Sequence, residues 1–343
     1  MSEENTIRES NFELMRLVLM FMIVMHHCIV HGVGLYEEGL YVSENSQIAL
    51  SLVNAFLVVA VNAFVLISGY FSIRLKWQKV VRLMLWVMLY SWVFSLYNGN
   101  GICWENLLFL SHTSYWFITD YFFLMAFAPM INSFFEQCTL RQRLWMVVVM
   151  LVISIYFGHY NDNIVNIHGY TFFQFVTMYG AGRCIRLNKI DLGRNKALAI
   201  YILCSLVVGC VAAFQFVHGH RVTAIKQAYY NSPFVIAATL GLFFFFKRLH
   251  FSGRWVNYWA ASALSIYLFQ ESGIVGKFNY SYVRELYVNM GGMKTMLLIV
   301  PISAIICVLA LLVDKLLFQP VLNWSMVKVE KLVEKYKNDK VLK

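Results

Sequence analysis

Charge is what this sequence has least of. Only 13% of its 343 residues are Asp, Glu, Lys or Arg, about half of the ~25% that a soluble domain carries. Four prolines and no long polar stretch exclude extended disorder. The seven cysteines, Cys28, Cys103, Cys138, Cys184, Cys204, Cys210 and Cys307, are scattered without a CxxC pair. Most lie in apolar runs, so neither a disulfide framework nor a metal site is expected. A cleaved leader is not expected either. Glu3, Glu4, Glu9 and Glu13 replace a basic start, and no small-x-small site follows the first apolar run. No repeat period or inverted repeat stands out.

What is present is apolar. Hydrophobic residues make up 60% of the chain, aromatics 17%, and the mean hydropathy is +0.62. A soluble all-helical protein would need amphipathic helices, whereas most long runs here are apolar all round. A membrane span takes ~20 such residues. Ten stretches qualify, roughly 12–31, 47–71, 80–97, 116–135, 143–158, 169–184, 197–217, 232–247, 255–275 and 294–318. The fifth, sixth and eighth are short, which suggests tilt or partial burial in protein. The fold class expected is an all-α polytopic membrane protein of about ten transmembrane helices.

The formal net charge is +10, and its placement decides its meaning. With the N-terminus inside, 23 of the 28 Lys and Arg fall on inner segments. Only Arg221, Lys226, Lys277, Arg284 and Lys294 fall outside. The first outer loop, "YEEGLYVSEN", is acidic. This asymmetry predicts that both termini are cytoplasmic. The positive charge then serves topology and anionic membrane lipid, not nucleic acid. Residues 319–343, ending in "KVEKLVEKYKNDKVLK", read as a basic amphipathic tail lying on the inner leaflet, separate from a membrane domain over 1–318.

The first span, "ELMRLVLMFMIVMHHC", carries ionisable groups that cost several kcal/mol in lipid and are functional candidates. Arg16 and His27 are eleven residues apart, which returns His27 to within ~20° of Arg16's face and ~16 Å further along the axis. Glu13 lies three residues before Arg16 and can pair with it. His31 shares His27's face, and His26, ~100° round, points elsewhere and reads as structural. His27 suits a general base; its bland alternative is a helix–helix hydrogen bond. Arg16 suits phosphate binding or simple snorkelling to the interface. Asp120, in the fourth span, can orient His27 as a carboxylate orients an imidazole or bond a neighbouring helix, and Glu271, near the outer end of the ninth, is a similar case. Asn54, Asn62 and Gln174 read as helix-packing groups. Tyr115, Trp116 and Tyr121 read as a membrane belt in preference to a sugar-stacking platform.

The segment "ELMRLVLMFMIVMHH" resembles the first helix of the membrane acyltransferase 3 family, marked by an acid, an arginine three residues on, and R-x10-H. Glu13, Arg16 and His27 match it. "NAFVLISGYFSIRLKWQKVVRLMLW" is similar to the family's SGF helix end followed by R-x-x-R, with Ser68, Gly69 and Tyr70 at the first motif and Lys79 and Arg82 at the second. The lysine departs from the pattern and lacks arginine's bidentate fork. "SYWFITDYFFLMAFAPMIN" resembles the family's Trp-Phe helix. "ASALSIYLFQES" resembles its late Ser-x-x-Tyr-Leu helix, with Gln270 where many members have histidine. The four pieces run in family order over residues 13–271.

The resemblance implies an integral-membrane O-acyltransferase of a bacterial cytoplasmic membrane. It implies acetyl-CoA, or another acyl-CoA, as donor substrate and no permanently bound cofactor. The acceptor it implies is a hydroxyl of a surface or lipid-linked glycan. His27, Arg16 and Glu13 would carry the chemistry. Arg74, Lys76, Lys79 and Arg82, inside by the charge rule, would meet the donor's phosphates, and Ser68, Trp116 and Asp120 would support the substrates. Whether His27 is a base or an acyl carrier is open at this stage. The competing reading is a transporter or flippase of a lipid-linked sugar with Arg16 and His27 lining its path. Paired discontinuous spans would favour it, and none is evident. A glycan polymerase would need a larger outer loop than this chain has.

Overall fold

Helices form at all ten expected positions, because an apolar environment leaves the backbone to satisfy its own hydrogen bonds. The computed structural model describes residues 9–97, 115–161, 164–273 and 275–341, and no strand occurs among them. In chain order the helices are α1 Ser10–His27, continued by a π turn Cys28–Val33; α2 Glu44–Leu57; α3 Ala60–Phe71; α4 Trp77–Tyr97; and α5 Trp116–Gln137. Then come α6 Leu140–Ile153, continued by a π turn Ser154–Tyr160; α7 Phe172–Leu187; α8 Arg194–Val217; and α9 Arg221–Gln227. The last are α10 Pro233–Lys247, α11 Arg254–Ala260, α12 Ala263–Gln270, α13 Val275–Met290, α14 Gly292–Val313 and α15 Gln319–Val341. Cys103 and the terminal Arg8 and Lys343 lie outside the described residues, and the six described cysteines are free thiols.

Seven helical runs among the described residues are long and apolar enough to cross a membrane. They are Ser10–Val33, Glu44–Phe71, Trp77–Tyr97, Trp116–Gln137, Leu140–Tyr160, Arg194–Val217 and Gly292–Tyr336. The other three expected spans differ. α7 and α10 are short and largely buried in protein. Residues 254–270 are two short helices interrupted at Ala261 and Ser262. The fifth span, expected to be short, extends over Leu140–Tyr160 and turns most of its surface outward. The tail is not a separate helix. It continues α14 through a π turn, Asp314–Phe318, because the buried Asp314 carboxylate takes hydrogen bonds from Trp86 Nε1 (2.8 Å), Tyr90 (3.4 Å) and Gln319 (2.9 Å). Those bonds tie the turn to α4.

Two helices meet at backbone contact. A Cβ on Gly69 would fall 2.1 Å from the Tyr179 carbonyl oxygen, and one on Gly182 2.3 Å from that of Leu66. Small residues let α3 and α7 approach this closely, which gives the glycine of the Ser68-Gly69-Tyr70 motif a packing role. Gly182→Val is therefore expected to lower stability by about 3 kcal/mol through overpacking, read as a fall in thermal unfolding temperature in detergent. Gly193→Ala, with nothing within 4 Å of its Cβ, should cost about 1 kcal/mol or less, the loss of a favoured N-cap residue. Equal stability of the two variants would refute the close approach.

Polar side chains then lock the interior. Gln174 accepts from Ser154 (2.7 Å) and Asn166 (3.1 Å) and donates to Asn62 Oδ1 and the Tyr230 carbonyl, both at 3.1 Å. Asn62 donates to the same carbonyl at 2.8 Å. All of these groups are buried, so each needs its partner. Asn62 and Gln174 are thus the packing groups expected, and they fix Tyr230.

The basic helix ends gather at one end of the bundle. Asn11 donates to the Phe246 carbonyl, Arg143 to Asn188, and Lys247 to the Ile190 carbonyl. Asp191, in the loop after α7, meets Lys247 at 3.0 Å and also Arg248. Desolvation pushes its carboxyl up, but the bonds from Lys247 and the Leu192 N–H and the charge of Arg248 win and hold it below the usual range.

Candidate active site

His27 is the last residue of α1, where the helix widens into the π turn Cys28–Val33. Such π segments often sit at functional sites. The ring meets the C-terminus of α12. Its Nδ1 lies 2.9 Å from Glu271 Oε1 and 2.9 Å from the Gln270 amide. The break at Ala261–Ser262 begins α12, and the C-cap of α12 is Glu271 itself. Tyr280 of α13 closes the group, donating to Glu271 Oε1 at 3.4 Å and lying 3.2 Å from the Gln270 amide.

These contacts fix a tautomer. A carboxylate can only accept, so the Nδ1 that faces Glu271 carries the proton. Gln270 Nε2, 2.9 Å from the same nitrogen, donates to the Tyr280 hydroxyl at 3.2 Å. His27 Nε2, with no partner among the described residues, is left as a lone pair. Asp120 makes no bond to His27 among these residues. The carboxylate that orients the ring is Glu271, the second of the two acids the sequence offered.

Nε2 opens onto a cavity of about 640 Å³. Trp116, Tyr170 and Tyr230 form one wall, with Trp116 stacked on Tyr230 (centroids 6.3 Å) and edge-on to Tyr170 (5.3 Å). The belt expected for Trp116 is corrected here, since the indole packs against cavity aromatics. Asp120 and Thr119 add polar groups. His26 also lines the cavity, against the expectation that it points elsewhere. The space spreads across α1, α3, α5 and α12 and takes in two neighbouring helix faces.

Other expected site residues are dispersed. Arg16 pairs with Glu13 at 2.6 Å and does not line the cavity. Ser68 donates to the Phe64 carbonyl (3.0 Å) and meets the Tyr121 hydroxyl (3.2 Å). The four cations expected to act together are split. Arg74 lines a smaller cleft of about 270 Å³ at the basic end, with Tyr70, Ser72, Glu136, Arg183 and Arg186. Lys76 and Lys79 are exposed. Arg82 is bonded to Gln319 (2.6 Å) and Asn323 (2.9 Å) of the tail helix. The split follows from the chain path, because Arg74 precedes α4 and Arg82 lies inside it, facing α15.

Arg183 and Arg186 were legible only as inner-side charges. In the structure Arg183 pairs with Glu136 at 2.7 Å, and Arg186 bonds the Tyr70 hydroxyl at 2.9 Å while covering its ring. An arginine inside a helix otherwise apolar enough to be buried was the available signal.

A family model described as an acyltransferase domain matches residues 9–314, most of the chain. No curated protein and no solved structure matches it.

Proposed function

Because this chain belongs to the acyltransferase 3 family, we propose that it moves an acyl group, acetyl from cytoplasmic acetyl-CoA, to a hydroxyl of a surface or lipid-linked glycan. The observation that carries the site is the His27–Glu271 pair opening onto an aromatic-walled cavity. Glu271 holds the Nδ1 proton, so Nε2 is basic. Nε2 takes the acceptor's hydroxyl proton as that oxygen attacks the thioester carbonyl. The C–O bond forms, the C–S bond breaks, and CoA leaves as a thiol once the proton is passed to its sulfur. Trp116, Tyr170 and Tyr230 offer apolar ring faces to a sugar. In this reading both termini and the basic end are cytoplasmic, in a bacterial inner membrane. Arg74, with Arg183 and Arg186 in its cleft, supports phosphate binding there, and Lys76 and Lys79 are free to add charge. The lysines of the tail helix suit anionic headgroups.

The test is direct. Purified protein is incubated with acetyl-labelled acetyl-CoA and a glycolipid extract. Alkali-labile label on the glycan is expected. Movement of lipid-linked sugar across sealed vesicles without acetyl transfer would replace this reading with transport. Trp116→Ala is expected to raise the acceptor's KM about tenfold, the loss of one aromatic stacking contact, with the donor's KM unchanged. Acceptor titration at saturating acetyl-CoA reads the difference.

A further inference from the structure

Three imidazoles line the cavity, and two of them, His26 and His27, lie inside it, while His31 is half-exposed at its mouth and paired with Glu37 at 3.0 Å. His26 Nδ1 lies 2.6 Å from Asn54 Oδ1, and Asn54 Nδ2 donates to the Tyr36 hydroxyl at 2.8 Å. The asparagine oxygen faces the ring, so His26 Nδ1 carries the proton. Nε2 is then a lone pair, as it is in His27. Neither Nε2 has a partner among the described residues, and neither is a sealed atom without a bond. The two ring centroids are 5.6 Å apart.

The interior of the site therefore presents two hydrogen-bond acceptors where one base would serve the reaction. A sugar with hydroxyls on neighbouring carbons can satisfy both. We propose that His26 is an acceptor-positioning residue whose Nε2 takes a hydrogen bond from the hydroxyl adjacent to the one deprotonated by His27. The cavity then selects sugars with a free vicinal pair of hydroxyls. This inference rests on the acyl-transfer reading and adds the class of acceptor to it. The geometry also explains why Asn54 is fully buried and spent on His26. A freely turning imidazole would present either ring edge, and the bond to Asn54 holds one.

Sites built to bond a substrate hydroxyl reject the analogue that lacks it, because their own polar group is left unpaired. The experiment uses purified full-length protein, acetyl-CoA, and methyl glucopyranoside with its monodeoxy and monodeoxyfluoro analogues, reading kcat/KM for acetyl ester formation. In the wild type, loss of one hydroxyl beside the reacting position is expected to lower kcat/KM about ten- to a hundredfold. The fluoro analogue, which accepts but cannot donate, should be equally poor. His26→Ala should bring the parent sugar down to the deoxy level, so that the series becomes flat. His26→Gln, whose amide oxygen can accept the same bond, should restore part of the discrimination. Thermal unfolding of each variant in detergent tests that it is folded.

Full discrimination in a folded His26→Ala protein would overturn the inference. So would an equal loss on parent and deoxy sugars, the mark of a structural role alone, or a fluoro analogue as good as the parent. If the wild type acetylates no sugar while binding acetyl-CoA, the acyl-transfer reading falls first and this inference with it.

Discussion

His27→Ala is expected to abolish acyl transfer, with a loss of at least about a thousandfold in kcat, in a protein that still inserts and folds. The size follows from what the substitution removes. General base catalysis contributes ~10²–10⁴-fold, and His27 alone of the two inner imidazoles faces a carboxylate, Glu271 at 2.9 Å, that stabilises an imidazolium. His26 faces the neutral Asn54 at 2.6 Å, and His31 is paired with Glu37 at 3.0 Å toward the exposed mouth. His31→Ala should therefore cost far less. Labelled ester formation is the readout, with detergent-solubilised yield and thermal unfolding as checks on folding. An alanine variant that is folded and still active within tenfold of the wild type would remove His27 from the mechanism.

Glu271→Gln is expected to be the next most severe, on the order of a thousandfold in kcat with little change in either KM. The exchange keeps size and shape but reverses the hydrogen bond. The new amide can donate to Nδ1, which stabilises the tautomer with its proton on Nε2. That imidazole cannot accept the acceptor's proton, and a wrong tautomer of this kind costs up to ~10⁴-fold in hydrolytic triads. Loss of the carboxylate also removes the charge that would stabilise the imidazolium formed in the reaction. Asp120→Asn is the informative comparison. Asp120 lines the same cavity but does not bond His27, so its effect should fall on acceptor KM. If Asp120→Asn lowers kcat as much as Glu271→Gln does, the assignment of Glu271 as the orienting acid is wrong.

The two acids show where sequence reasoning stops. Asp120 and Glu271 were both visible as carboxylates in apolar surroundings, and nothing in the chain ranks them. The ranking depends on the break at Ala261–Ser262. After that break the short α12 ends at Glu271, beside His27, whereas Asp120 stands within the unbroken α5. The expected ninth span hid this, because its composition suits one continuous helix. His26 was misplaced for a related reason. Helical periodicity gives the angle between two side chains correctly, but it does not give the width of the space they face.

The basic residues make the same point at the other end. Their side of the membrane is expected from counting Lys and Arg. Their partners are not, and Arg82, at the R-x-x-R position and expected to meet the donor's phosphates, is bonded to the tail helix.

The sequence by itself determined the class and the helix positions, and it singled out His27 as the candidate. Those follow from hydropathy and spacing, which are local in the chain. Only the tertiary structure decided that Glu271 holds His27, that His26 and Trp116 share its cavity, and that Arg74 meets Arg183 and Arg186. Each of these is a contact between helices far apart in sequence. Their depth and rotation are set by packing, as at Gly69 against Tyr179, and no local pattern encodes that.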